Sequence, residues 1–345
     1  AASDVYKRQV LSFLGAFFVM SFGVLAGAMR EAFFLRFFNA SAVPYVSYAG
    51  IALALPAVWI FSRQVARRSP HVVVRAVIGL SAAGLLAIYG TTMSGIEIVS
   101  DRVLAVVFYL WTMVATLLLT SGFWIVASEI FAVREAKRLF GLISAGGALG
   151  TLFTGVSASA LLTVIRPVHT LPILVLILAL GLVVFELLPR HRMHPVGGTA
   201  SEFRESAISG LQHIARSRHL RLLAGIVLLT SAASYIVSWQ LQDAIQVSAE
   251  TGVVAEGLTG LPAQEEVTRR IGIFMGAFRG WTGGLAFLIQ VLLASRILAG
   301  AGVAWSLAVL PLSLILGSTG MLILPGLLMA TLVRGADNTL GKSLY

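Results

Sequence analysis

Cysteine is absent from this 345-residue chain, which excludes disulfides, thiolate zinc sites and iron–sulfur clusters. Charge is scarce as well. Asp, Glu, Lys and Arg make up 12% of the residues and apolar residues 58%, where a soluble domain carries about 25% charged residues. With a mean hydropathy of +0.91, so little polar surface cannot clothe a fold in water, and the surface is expected to face hydrocarbon. Catalytic signatures are missing too: there is no His-Glu-x-x-His and no Gly-x-Ser-x-Gly. Gly341-Lys342-Ser343 ends like a phosphate-binding loop, but Ala336 stands where that loop needs its first glycine. His191 and His194 have a metal-like spacing, yet no carboxylate or further histidine accompanies them. No enzyme activity, cofactor or metal is expected.

What the chain does have is long apolar segments. A helix needs about 20 apolar residues to cross a bilayer. Ten windows qualify: 10–28, 43–62, 72–92, 103–126, 140–165, 171–188, 220–240, 271–294, 303–320 and 322–345. The expected fold class is an all-α polytopic membrane protein. The formal charge of +10 then marks topology in a lipid bilayer rather than nucleic-acid binding. Lys and Arg favour the cytoplasmic side. With the N-terminus inside, the inner loops hold Arg63, Arg67, Arg68, Arg75, Arg134, Lys137, Arg138 and six arginines between positions 190 and 221. The largest outer loop, 242–270, is acidic, with Asp243, Glu250, Glu256, Glu265 and Glu266.

Residues 1–9 break from the first apolar run and are read as a non-native tail. The stretch 190–219, with Pro195, Gly197 and Gly198, reads as a cytoplasmic linker. It divides an N-terminal six-helix half, 10–189, from an incomplete four-helix C-terminal half, 220–345. This is the layout of the major facilitator fold, in which two six-helix halves enclose a central site. The chain ends within an apolar run at Tyr345, two helices short of that layout, and is read as a piece of a longer protein.

Charges inside the apolar windows carry the functional reading. Each costs roughly 2.5–3.5 kcal/mol at mid-membrane on insertion scales, so such residues tend to face the interior and to serve a function. Arg30 and Glu31 continue the first apolar run. Arg279 lies deep in the eighth window and has no acid within four residues, which leaves it free for a substrate. Arg334 and Asp337 share a face of the last window and are expected to pair. These five are the candidate substrate-binding residues. With Arg36 and Lys342 they make five cations against two anions, a surplus that suits an organic anion, because guanidinium forks bind carboxylate or phosphate bidentately. Polar stripes on the fourth helix (Thr112, Thr116, Thr120) and the seventh (Ser231, Ser234, Tyr235, Ser238, Gln242) suggest faces turned from lipid. Gly272, Gly276, Gly280 and Gly284 form a smooth stripe that lets another helix approach.

The most specific local signature is Phe123-Trp124-Ile125-Val126-Ala127-Ser128-Glu129, followed by Lys137-Arg138-Leu139-Phe140-Gly141 and Ala145-Gly146-Gly147. With Arg30-Glu31-Ala32 in the first helix, it resembles the nucleotide (ATP/ADP) translocase family of bacteria and plastids, a branch of the major facilitator superfamily. Glu31 stands where members more usually carry Asp. The resemblance implies a bacterial inner-membrane carrier of about twelve helices that exchanges or takes up nucleotides by alternating access. Glu129, Lys137 and Arg138 are candidate gating residues, placed just inside the membrane where they pair across the halves when the inner side closes. Two other readings stand beside it: a proton-coupled permease with Glu31 or Asp337 as the proton site, and a sensor or scaffold that has lost transport.

Overall fold

The computed structural model describes residues 2–94, 99–130, 133–188, 215–292, 312–320, 322–324 and 326–344. Among them the secondary structure is helical throughout. We number the helices α1 (Ala2–Leu35), α2 (Val43–Arg67), α3 (Pro70–Met93), α4 (Asp101–Ile130), α5 (Val133–Leu161), α6 (Thr170–Leu187), α7 (Arg218–Ala255), α8 (Gly260–Leu292) and α9 (Leu327–Leu344), with 3-10 turns at Ala40–Ala42 and Pro167–His169. Residues 312–320 are helical as well. The ninth window, 303–320, falls for the rest outside the described residues. Proline opens α2 and α3, where a missing N–H costs nothing and the fixed φ suits a helix start.

Seven of these helices, α1–α4 and α6–α8, are long and apolar enough to cross a membrane. The chain is an all-α polytopic membrane protein. Its lipid-facing surface is clearest on α2, where Tyr45, Tyr48, Ile51, Leu55, Trp59 and Ile60 are exposed. By contrast α1 is the central post, packed against α4, α5, α6 and α8. Phe22, Ala26, Met29, Ala32 and Leu35 on it are almost fully buried. α5 is rich in Gly, Ser and Thr and lies between α1 and α8, which explains why its apolar signal is weaker.

The expected acidic loop 242–270 is largely helix. α7 runs on to Ala255 and α8 begins at Gly260, so only a short turn separates them. At 38 residues and 1.5 Å per residue, α7 is about 57 Å long, well beyond the hydrocarbon core. Its last turns are amphipathic: Gln242, Ile245, Gln246, Ala249 and Val253 are buried on one face. A window that averages hydropathy does not register such a face. Gly257 and Gly260 take φ of +71° and +68°, left-handed values that only glycine adopts freely, and so close the turn.

The glycine stripe of α8 meets α5. A Cβ on Gly155 would lie 2.4 Å from the Cα of Gly280 and 2.5 Å from the carbonyl oxygen of Gly276. Gly146 and Gly150 of α5 press on the Phe13 and Phe17 carbonyls of α1 in the same way, a Cβ on either falling 2.3 Å away. Small residues thus bring α1, α5 and α8 into backbone contact.

Candidate functional site

Among the described residues, the five candidate binding residues resolve into two ion pairs and one cation without an ion-pair partner. Glu31 of α1 and Arg279 of α8 form the first pair, at 2.5 Å. The pair spans 248 positions of sequence and links the first six helices to the later ones. Glu31 is 7% exposed. Gly27, one turn before it, makes room for the guanidinium: a Cβ there would sit 3.1 Å from Arg279 Cζ. Arg279 is therefore not the free cation that its local sequence suggests, because its acid comes from another helix.

The second pair is Arg334 with Asp337, as the three-residue spacing predicts. It is also held from α7. The Ser234 hydroxyl donates to Asp337 Oδ1 at 2.6 Å, and Arg334 Nη1 donates to the Ser234 carbonyl at 3.0 Å. Asp337 is 5% exposed. Asn338 Nδ2 donates to the Thr282 hydroxyl of α8 at 3.0 Å, and Thr282 lies one turn beyond Arg279. The two pairs are thus joined through α8 and α9. Removing Arg334 leaves a buried carboxylate with one hydroxyl partner, and a broken buried pair costs about 3–5 kcal/mol. Arg334→Ala is expected to lose that much stability in detergent unfolding, and Arg334→Ala with Asp337→Ala to recover most of it.

Arg30 is the third element. Its guanidinium stands over the Tyr109 ring of α4, 4.9 Å from the centroid. The Tyr109 hydroxyl lies 3.2 Å from that of Ser47 on α2. Among the described residues Arg30 makes no hydrogen bond and no ion pair, and its Nε is buried without a partner. Arg279 Nε is unpartnered in the same way. The two arginines are near enough to feel each other's charge, and an unpartnered buried donor costs about 1–3 kcal/mol, or more for a charged group, which an acceptor-rich ligand would relieve.

The fourth-helix polar stripe is turned from lipid as expected, with Thr112 fully buried and Thr116 and Thr120 half-buried. Thr112 donates to the Phe108 carbonyl and Thr116 to that of Thr112, so both hydroxyls are spent inside their own helix. On the seventh helix the stripe contributes Ser234, which holds the Arg334–Asp337 pair. Glu129, Lys137 and Arg138 lie on helical backbone of α4 and α5, but their side chains are outside the described residues. Sequence reasoning missed Tyr109 and Asn338. An aromatic in an apolar helix carries no local mark of the cation it meets.

An opening of about 260 Å³ lies near the α1–α2 turn, lined by Arg36, Asp101, Arg166 and Glu265 among others. Burial holds the Arg36 pKa below its ordinary value, while the hydrogen bond that Arg166 donates to Glu265 raises that of Arg166.

No protein-family model matches the chain, and no curated protein matches it.

Proposed function

We propose that the chain is a secondary carrier of an organic anion, most specifically a nucleotide, working by alternating access between two halves of a major facilitator-like fold. The observation that carries this reading is Arg30. A membrane helix bears a guanidinium that no described side chain neutralises by contact, beside an ion pair that joins early helices to late ones. A fold that keeps so costly a charge unpaired uses it for a ligand of opposite sign. The fork of Arg30, aided by Arg279, would take phosphate or carboxylate oxygens. Glu31 then acts as the anion's competitor: it holds Arg279 in the empty carrier and yields it to the substrate. The resemblance in Lys137-Arg138-Leu139-Phe140-Gly141 supports a nucleotide over a simpler anion. The basic inner loops support a cytoplasmic N-terminus in a bacterial inner membrane.

The test is uptake into proteoliposomes. Labelled nucleotide should enter, and faster when the vesicles are preloaded with unlabelled nucleotide. Uptake of a neutral sugar with no response to any nucleotide would reject the reading. The proton-coupled alternative has the buried Glu31 in its favour. It requires that Glu31→Gln lose all response to a pH gradient, whereas the anion reading requires tighter anion binding in that variant.

A further inference from the structure

Four hydrogen bonds fasten α7 to the segment that joins α1 to α2, and all sit at one end of the bundle. Gln246 makes three of them. The Ala40 N–H donates to its Oε1 at 2.8 Å, and its Nε2 donates to the Leu35 and Phe38 carbonyls at 3.1 and 3.2 Å. Trp239 Nε1 donates to the Ala40 carbonyl at 2.9 Å. The end of a helix leaves backbone groups without partners; here a side chain from a distant helix supplies them. Glu250, one turn further on, accepts from the same Nε2 at 3.0 Å and orients the amide. Around the same rim Arg166 pairs with Glu265, and Arg269 Nη1 donates to the Thr163 carbonyl at 3.4 Å. Behind the rim lies a fully buried plug of Met29, Ala32, Leu162, Thr268 and Ile271, each 0% exposed.

One turn inward from Gln246, on the same face, Gln242 is buried with no partner for its Oε1 among the described residues. A buried acceptor left unpaired is unfavourable, and water would satisfy it. The closed rim therefore carries a cost that opening removes, and something must hold it shut. We propose that Gln246 is the latch of this rim, and that its release opens the path from that side to the Glu31–Arg279 pair. The inference rests on the reading of the chain as an alternating-access carrier.

The absence of native cysteine makes the test direct. Thr268→Cys conserves volume and puts one thiol in the plug. Thr259→Cys, in the exposed α7–α8 turn, reports which compartment the rim faces. An impermeant maleimide is added on the side that labels the turn. Each lost hydrogen bond is worth about 1 kcal/mol net, and 1.4 kcal/mol is tenfold. Gln246→Leu should therefore raise labelling of the plug thiol about tenfold or more. Trp239→Phe, which keeps an aromatic ring and loses one bond, should raise it about fivefold by the same arithmetic. Unchanged labelling in both variants, with turn labelling and thermal unfolding as in the parent, overturns the latch. The two readings fail separately. Faster plug labelling without any anion uptake keeps the latch and removes the cargo, and normal uptake with unchanged labelling does the reverse.

Discussion

Arg30→Ala should abolish tight anion binding and leave the fold about as stable as before, while Arg279→Ala should unfold more readily. The asymmetry follows from partners. Among the described residues Arg30 has the Tyr109 ring as its one direct partner, a contact worth roughly 0.5–2 kcal/mol, and its removal also relieves an unpaired buried charge. A charged hydrogen bond to substrate is worth about 1.5–3 kcal/mol, so the affinity should fall roughly 10- to 150-fold. Arg279→Ala strands Glu31, which is nearly buried, and that costs about 3–5 kcal/mol. The double variant Glu31→Ala with Arg279→Ala should regain most of the stability, as a coupled pair does. Equilibrium binding of labelled nucleotide and detergent thermal unfolding, measured on the same four proteins, read the two quantities apart. An unchanged dissociation constant in Arg30→Ala would end the anion-site argument.

The other large effect is expected at the α5–α8 crossing. Gly155→Leu places a side chain where the nearest neighbours are backbone atoms of Gly276 and Gly280, at 2.4–2.5 Å. Backbone cannot rotate aside, so the helices must separate. Overpacking costs about 1–3 kcal/mol where side chains can adjust; here about 3 kcal/mol or more is expected, with transport lost. Gly79→Ala and Gly90→Ala are the controls. Nothing lies within 4 Å of a Cβ at either position, and alanine favours a helix over glycine by about 0.5–1 kcal/mol. Unfolding midpoints should fall sharply for the first variant and hold or rise for the controls.

Local chemistry was readable in the sequence and distant pairing was not. The Arg334–Asp337 pair follows from a spacing of three on a helix, and the α8 glycines announce a close approach by their spacing of four. That α5 is the helix that approaches, through Gly155, is a fact of tertiary packing. Arg279 shows the limit most sharply: its local sequence holds no acid, and its partner Glu31 arrives from the first helix. Gln246 was hidden for another reason. It lies past the apolar stretch of α7, where the sequence reads as an acidic loop although one face is buried. Gln240, Gln242 and Gln246, three amides within seven residues, were the available sign that this segment has backbone to satisfy.

The contact between α5 and α8 has a mechanical meaning. Where side chains interlock, turning one helix over another means lifting each knob from its hole. Glycine on glycine offers no knob and no rotamer to change. Such a contact behaves as a bearing: it fixes an axis and stores little preference for any angle about it. On the proposed carrier reading, the angle is then decided away from this contact, at the Gln246 rim on one side and at Arg30 in the centre.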